Sequence, residues 1–359
     1  MSRRRFIVLL VAALLVITGG LYLSARRNVS PDAQGALLLP TFNAQMNTVT
    51  ALSVRKGGTA PSVTVHQSAG KWTVLERGDY PADVAKLRKL LLALGEARIV
   101  EQKTSNPANF PVIGVEDPAQ PGATGAEITV TAQDGKHAVI IGKPIGEGNF
   151  ARRSGENTSY VVEPAITFET EPRYWIETRL IDVPAASIQS IEVKPASGAG
   201  YVIRRLKPNE DGFGLEGTPA GRKALDAHAL APSSTLLSGL SAEDVAAAKD
   251  IDFGQATQAI LTLSDGNVIS LSGTPAGDKR WIEVKASKDA ALTAKSQDRA
   301  FEVASYRYDA LFRPLEQLLV PKESPPGKNT AAGKPVPGHK PAAGKPAPGP
   351  SSPAPSPAP

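Results

Sequence analysis

Residues 6–23 read FIVLLVAALLVITGGLYL, and this stretch decides how the rest of the chain is organised. Its 18 residues carry no charge, and arginines stand on both sides, at positions 3–5 and 26–27. At about 1.5 Å per residue a helix of this length reaches roughly 27 Å, enough to span the hydrocarbon of a bilayer. We therefore predict a transmembrane anchor, and its apolar residues include Phe6, Leu10, Leu14, Ile17, Tyr22 and Leu23.

The residues at the C-terminal end of the anchor indicate whether it is a cleaved signal peptide. A signal peptide has a short apolar core and ends at a small-x-small cleavage site. Here a cut after Ala25 would place Leu23 where a small side chain is needed, and Tyr22 stands where an interfacial aromatic belongs. These features favour a retained anchor, and a cleaved signal is the alternative.

The charges beside the anchor indicate its orientation. Three arginines and the terminal amine precede it, and two arginines follow it. Because positive residues prefer the cytoplasm, we expect the N-terminus inside the cell and the bulk of the chain outside the cytoplasmic membrane. The predicted location is the inner membrane of a bacterial cell, with a single span and a periplasmic or otherwise extracytoplasmic body.

The net charge of +5 suggests a nucleic-acid partner, but its distribution argues against one. Residues 1–27 contribute five arginines, and residues 321–359 contribute five lysines against one glutamate. The region between them holds 30 basic and 34 acidic residues, so it is mildly acidic. We therefore expect no nucleic-acid binding. The chain also has no cysteine, which excludes an anchor made from a lipid-modified cysteine.

Alternating apolar residues after the anchor predict an antiparallel sheet. The predicted strands are Thr48–Val54, Val63–Val65 and Lys71–Leu75, then a hairpin of Ala126–Val130 and Ala138–Ile141, and a strand at Tyr160–Val162. Asp134-Gly135 is a strong turn pair for that hairpin. The stretch from Asn106 to Gly125 is rich in Pro, Gly and Asn and is predicted to be a loop.

A helix is predicted between the third strand and that loop. Asp79 is its expected cap, Pro81 suits its first turn, and Gly95 ends it. Spacings of three, four and three residues predict a buried stripe made of Val84, Leu87, Leu91 and Leu94.

The same pattern returns in the second half of the chain. Predicted strands are Ile188–Val193, Tyr201–Ile203, Gly212–Leu215, Ala259–Leu263, Val268–Leu271 and Arg280–Val284. Helical segments are expected over Ala224–Lys249, where Ser241 with Asp244 makes a capping-box pattern, and a last helix over Tyr308–Val320, which Pro314 kinks or begins. The order and rough spacing of the two halves predict a tandem duplication of one α+β unit.

These observations predict an α+β fold with a definite division of the chain. Its parts are a cytoplasmic stub and anchor at 1–27, a stalk at 28–47, a first repeat at 48–180, a second repeat at 181–320 and a tail at 321–359. The tail holds 13 of the 31 prolines, and most of its other residues are Ala, Gly, Ser and Lys. It has little to bury, so it is expected to be disordered.

Several short motifs in order resemble a known family. Residues 174–184 read YWIETRLIDVP and run into IQSI at 188–191, and GKW at 70–72, YPAD at 80–83 and GVEDP at 114–118 precede them. Together they are similar to an uncharacterised bacterial envelope family, domain of unknown function 4340 (DUF4340), over residues 48–320. The resemblance implies an N-terminal membrane helix with a repeated α+β region outside, and an association with ABC-type export systems, including those linked to gliding motility. It supplies no catalytic residues, and the tail is not part of it.

The histidines and the glycine-rich motifs favour structural roles. His66, His137, His228 and His339 show no metal-ligand spacing, so we expect no metal and no cofactor. The loop with Gly142, Gly146 and Gly148 lacks the helix and the Gly-Lys-Ser/Thr of a phosphate site, and a hairpin is the better interpretation. The sequence GTPAG at 217–221 and again at 273–277 is typical of turns, and a ligand grip is the alternative.

Three tryptophans are the largest candidate anchors, Trp72, Trp175 and Trp281. Burial in the two cores is favoured over a stacking platform for sugar, and an exposed Trp175 would revive the sugar hypothesis.

The resulting hypothesis is a non-enzymatic membrane protein whose outer region contacts other envelope proteins as an accessory to an ABC-type transport complex. The alternatives are a module that binds cell-wall polymer or another saccharide, and an unrecognised hydrolase. Anionic envelope polymer is a further candidate partner, which the lysine-bearing tail would contact weakly. A deep pocket that gathers carboxylates or histidines from both repeats would favour the hydrolase.

Overall fold

The computed structural model describes residues 34–207 and 212–321 of the 359-residue chain. The predicted anchor at Phe6–Leu23 and the tail from 322 onward lie outside the described residues. No helix among the described residues is long and apolar enough to cross a bilayer. Residues up to Val320 belong to one compact unit, whose described parts we call the first lobe (34–178) and the second lobe (179–321).

The first lobe is built on a nine-stranded antiparallel sheet. Its strands are β1 (Ala51–Arg55), β2 (Val63–Ser68), β3 (Lys71–Val74), β4 (Tyr80–Pro81), β5 (Arg98–Gln102), β6 (Ala126–Ala132), β7 (Gly135–Ile145), β8 (Gly148–Arg153) and β9 (Ser159–Glu163). They lie side by side in the order β4-β3-β2-β1-β6-β7-β8-β9-β5. The helices of this lobe are α1 (Phe42–Gln45), α2 (Val84–Glu96) and α3 (Phe110–Ile113).

The second lobe is built on an eight-stranded antiparallel sheet. Its strands are β11 (Ile188–Lys194), β12 (Tyr201–Arg205), β13 (Phe213–Glu216), β15 (Asp244–Ala247), β16 (Thr257–Leu263), β17 (Val268–Ala276), β18 (Lys279–Ala286) and β19 (Arg299–Glu302). The strands β10 (Arg179–Ile181) and β14 (Leu240–Ser241) form a separate pair. The helices are α4 (Ala227–Leu230), α5 (Ala290–Ser296) and α6 (Ser305–Leu311).

The two large sheets have the same connectivity. The eight-stranded order is β13-β12-β11-β16-β17-β18-β19-β15, and the first sheet repeats this order once the two-residue strand β4 is set aside. The antiparallel sheets and packed helices confirm the predicted α+β class. Ancestry by duplication and the repeat boundary at residue 180 stay predictions.

One hydrophobic core runs through both lobes. Alternate residues of the strands point into it. Along β6, for example, residues 126, 128, 130 and 132 are buried, and the residues between them are partly buried. A single cluster of buried residues contains Leu52 and Val130 of the first sheet and Leu261 and Phe301 of the second. Because apolar burial at about 25 cal/mol per Å² dominates folding, this shared core holds the two lobes together.

Helix α2 begins later than predicted. Its cap is Asp83, whose carboxylate accepts from the N–H groups of Ala85 and Lys86, and the predictions for Asp79 and Pro81 were wrong. Pro81 instead pairs with Thr73 in the sheet. The helix buries Leu87, Leu90, Leu91 and Leu94, whereas Val84 is 43% exposed and is no part of the stripe.

The predicted helical region Ala224–Lys249 is also largely wrong. Only α4 and a 3-10 turn at Ala231–Thr235 are helical before the chain enters β14 and β15, with a second 3-10 turn at Ala248–Asp250. The predicted capping box is absent from this described region, because Ser241 lies in β14 and Asp244 lies in β15. Pairing with β19 stabilises an extended chain here, and tertiary pairing overrides the local helical propensity of the alanines.

The last predicted helix is shorter and lies earlier than expected. Helix α6 ends at Leu311, and only a 3-10 turn at Leu315–Leu318 follows. Proline disfavours the helical region for the residue before it, which separates the two pieces at Pro314. The predicted loop Asn106–Gly125 likewise contains helix α3 and a 3-10 turn at Pro107–Asn109.

Candidate functional site

A cleft of about 890 Å³ lies between the two lobes, at the outer edge of the second sheet. The first lobe contributes Glu76, Arg77 and Gly78, which form the turn between β3 and β4. The second lobe contributes all four residues of β15, the terminal strand of its sheet. The remaining lining residues are Lys249, Asp250, Trp281, Ala294, Gln297, Asp298 and Arg299.

Arg77 and Asp244 join the lobes inside this cleft. The Nε of Arg77 lies 2.5 Å from Oδ1 of Asp244, and Nη2 lies 3.0 Å from Oδ2. The two side chains are only 21% and 12% exposed, so water screens the pair weakly. The same carboxylate accepts from the N–H of Val245 at 2.8 Å, so Asp244 is held on two sides. This fork-to-fork contact fixes the distance between the two lobes at this point.

Arg299 makes a second link across the cleft. Its Nη2 donates to the carbonyl of Gly78 at 2.9 Å, and its Nη1 donates to the carbonyl of Lys295 in the last turn of α5. Gly78 has a φ of +60°, a backbone conformation that glycine adopts without strain, and this turns the carbonyl toward the second lobe.

Tyr80 lies behind these links with its ring between the lobes. The ring meets Phe301 edge-on at 5.8 Å, and the Arg299 guanidinium lies 5.6 Å from its centroid. Burial, followed by the charge of Glu177, raises the pKa of the Tyr80 hydroxyl well above its ordinary value, so the phenol is neutral. The side chain therefore contributes packing and cation–π contact to the seam.

A row of polar residues crosses the floor of the second sheet beside the cleft. Asp244 stands opposite Glu302, and Glu302 stands opposite Trp281. Lys279 places its Nζ 2.6 Å from a Glu302 oxygen and 5.5 Å from the Trp281 ring centroid. The carboxylates of this row are thus each paired with a cation.

The cleft brings carboxylates from both lobes together but holds them in fixed hydrogen bonds. Glu76 accepts from the N–H of Thr64 at 2.9 Å, and Asp244 accepts from Arg77 and Val245. Because each of these carboxylates already accepts a hydrogen bond from the protein, the arrangement suits keeping the shape of the cleft more than exchanging protons. Asp250 and Asp298 are exposed at the rim.

The structure does not bring the three tryptophans together. Trp175 is 1% exposed, and its indole N–H donates to the carbonyl of Glu169 at 3.0 Å. Trp72 is partly buried in a separate groove of about 360 Å³ beside α2. Trp281 is 6% exposed and lines the cleft between the lobes. The predicted anchor residues of the membrane helix lie outside the described part of the chain.

Two of the four histidines lie beside carboxylates, and the glycine-rich loop forms a hairpin; His339 lies outside the described residues. His66 lies 3.1 Å from Asp79, and His137 lies 2.9 Å from Asp134. Within residues 34–207 and 212–321 no group of three or more His, Asp or Glu side chains is arranged to hold a metal ion. The glycine-rich stretch is the β7–β8 hairpin, in which Ile145 pairs with Gly148, as the hairpin interpretation predicts.

Sequence reasoning missed the residues that build the cleft. No sequence motif marks Arg77, and Asp244 stands in a sequence pattern that is typical of a helix cap. The two residues are 167 positions apart, so no local pattern links them.

Comparison with known proteins gives one result. A family model described as domain of unknown function (DUF4340) matches residues 72–259, slightly more than half of the chain. No curated protein and no solved structure matches the chain significantly. The matched region covers most of the first lobe and the part of the second lobe that includes β15. The chain therefore belongs to the family of proteins with the domain of unknown function DUF4340.

Proposed function

We propose that this protein is a non-enzymatic interaction body, tethered by Phe6–Leu23 to the outer side of a bacterial inner membrane. Its partner is another envelope protein, a component of an ABC-type transport complex. The tether rests on the uncharged 18-residue stretch between two groups of arginines. The association with ABC-type systems rests on the family resemblance.

The observation that carries the interaction role is the cleft between the lobes. It is lined by a terminal strand, and the lobes on its two sides are tied by Arg77 to Asp244 and by Arg299 to Gly78. A binding surface on a rigid frame loses little entropy when a partner docks, which favours recognition. Its mixture of charged rim and half-buried floor is typical of interfaces between proteins that associate reversibly.

A site-specific crosslink tests this role. A photoreactive amino acid would replace Lys249 at the cleft in the full-length chain in its own membrane, and Lys136 would be replaced in a matched control. Both lysines are exposed, and Lys136 lies on the β7 hairpin away from the cleft. We expect position 249 alone to yield an adduct with an integral or membrane-associated transport protein. Equal adducts from both positions, or recovery of the chain in mild detergent with no membrane partner, would overturn the proposal.

The tether has its own test. A reporter enzyme fused after Val320 should be active only outside the cytoplasm, and the chain should remain in the membrane after extraction at alkaline pH. Reporter activity confined to the cytosol would remove the proposed location.

The hydrolase is the second candidate, and the meeting of Glu76 and Asp244 in one cleft is what favours it. We place it below the interaction role because both carboxylates already accept hydrogen bonds. Turnover of an ester, phosphoester or peptide by the purified chain, lost in Glu76→Gln, would reverse that order. Trp175 is buried, so it is no stacking platform for a sugar, and the saccharide-binding alternative now rests on the tail, which lies outside the described residues.

A further inference from the structure

The strands β5 and β15 occupy the same place in their sheets but differ at their outer edges. Each is the terminal strand, next to β9 in the first sheet and next to β19 in the second. The outer edge of β5 is covered by residues 35–38 of the chain. The N–H of Ile99 donates to the carbonyl of Ala36, and the carbonyl of Ile99 accepts from the N–H of Gly35, both at 2.8 Å. The first lobe thus already has main chain paired with this edge, through these bonds and an isolated bridge between Leu37 and Arg98.

Val245 is the counterpart of Ile99 in the second lobe. Each is the second residue of its strand, and the two are 3% and 2% exposed. No extended segment lies beyond β15 among the described residues. The N–H of Val245 donates instead to the carboxylate of its own neighbour, Asp244. The N–H that pairs with main chain in the first lobe is therefore paired here with a side chain.

The charges around this edge favour a basic occupant. The cleft is lined by the four carboxylates Glu76, Asp244, Asp250 and Asp298 and by the three cations Arg77, Lys249 and Arg299. Arg77 is paired with Asp244, and Arg299 donates to main-chain carbonyls. Asp250, Asp298 and Lys249 make no ion pair among the described residues, so these groups leave the cleft with one net negative charge, which is complementary to a positively charged segment.

We propose that the edge of β15 binds an extended, positively charged segment of the partner protein, which adds to the second sheet as a further strand. The proposal rests on the interaction role proposed above and names the form of the partner. A partner carbonyl takes the N–H of Val245, and Asp244 keeps its contact with Arg77. Main-chain hydrogen bonds supply the affinity in this mode, and the flanking charges supply selectivity.

The test uses a defined peptide and the full-length chain in detergent micelles. The probe copies residues 34–39, QGALLL, with a lysine added at each end and a fluorophore, and its binding is followed by fluorescence anisotropy. The control peptide has the same sequence with alternate backbone amides N-methylated, which removes the main-chain donors. We expect the N-methylated peptide to bind about tenfold or more weakly, the loss of one or two hydrogen bonds.

Variants locate the binding. Proline is tolerated on an edge strand where the N–H faces away from the sheet, and Ala247 lies two residues after Val245 on the same side. We expect Ala247→Pro to lower the affinity about tenfold with an unchanged circular dichroism spectrum. Asp298→Asn should weaken binding at low salt, whereas the matched change Asp278→Asn in the exposed β17–β18 turn should not.

Each other outcome overturns the proposal. Equal binding of the two peptides, or no binding of either, excludes strand addition at this edge. Association of the chain with itself that Ala247→Pro abolishes would make a second copy the occupant. If the crosslink from position 249 still captures a transport protein in these cases, the proposed interaction role holds and only the proposed strand addition is excluded.

Discussion

The pair formed by Arg77 and Asp244 gives the sharpest test of how the lobes are joined. Replacing Arg77 with alanine removes both contacts of 2.5 and 3.0 Å and leaves the Asp244 carboxylate with the N–H of Val245 alone. The carboxylate is 12% exposed, so little water replaces the lost guanidinium. We therefore expect Arg77→Ala to lower the free energy of unfolding of the whole unit.

The size of the loss follows from burial. Two unit charges about 4 Å apart attract by about 4 kcal/mol at an effective dielectric constant of about 20, and part of this is offset by desolvation. Removing one partner of a fully buried pair costs about 3–5 kcal/mol. Arg77 is 21% exposed, so we expect a loss of about 2–3 kcal/mol for Arg77→Ala. The double variant with Asp244→Ala should lose less than the sum of the two single losses, because no unpaired charge remains.

Urea unfolding followed by tryptophan fluorescence measures these losses, because Trp281 lines the same cleft. The matched control is the pair of Arg204 and Glu216, which has the same chemistry at 2.8 Å but is more than half exposed. Arg204→Ala should leave the urea midpoint almost unchanged, since exposed pairs contribute little. Equal midpoints for Arg77→Ala and the native chain, or strictly additive losses in the double variant, would refute the reasoning.

Three further predictions concern single residues. Trp175→Phe removes an indole N–H donor that lies 3.0 Å from a main-chain carbonyl in the core, and we expect a loss of about 1–3 kcal/mol in urea unfolding; an unchanged midpoint would contradict it. A methyl group at Gly273 would overlap the ring of Phe312, so Gly273→Ala should lower Tm in a calorimetric scan at a cost of about 1–3 kcal/mol, and an unchanged Tm would mean that the ring moves freely. Burial raises the pKa of Tyr201 to about 12, and its hydroxyl donates to the carbonyl of Arg313. The folded chain then holds this proton more tightly than the unfolded chain, so this hydroxyl should lower stability by about 2 kcal/mol as pH rises from about 10 to about 12. Tyr201→Phe should make that part of the profile, measured by urea unfolding, less steep, while the buried Tyr80 still contributes to the fall.

Strands with alternating side chains and strong turn pairs could be predicted from the sequence. The hairpin across Asp134-Gly135 and the one across Asp265-Gly266 both form at the expected places, because period-two burial and the turn residues indicate the same register. The strands β5 and β15 were not predicted. Each is short and lies at the end of its sheet. Pairing with one neighbouring strand stabilises it, and its sequence does not show the alternating pattern that would predict a strand.

The candidate site could not be predicted for the same physical reason. The segment before β15 contains many alanines, and alanine favours helix when no tertiary partner is known. What makes this segment extended is its pairing with β19, together with a carboxylate that binds an arginine 167 residues earlier. Both causes are long-range. The resemblance to the family extends over residues 48–320, which include the matched range 72–259, but it assigns no role to any residue.

The leading segment of each lobe pairs at a different place, so main chain covers the outer edge of β5 whereas β15 lines a cleft. In the first lobe the segment that precedes β1 pairs with the start of β5, and Leu37 stands opposite Arg98. In the second lobe the segment that precedes β11 is β10, and it pairs with β14, upstream of β15. The N–H of Ala242 donates to the carbonyl of Thr178, so the covering segment ends two residues before Asp244. Two sheets with one strand order thus differ in where their leading segment lies, and the edge left uncovered is the one that meets Arg77 of the other lobe. Strand β15 is therefore paired with β19 on one side, while Asp244 and Arg77 lie at its other side, and a sheet edge covered by side chains in place of a strand is one that another chain can join.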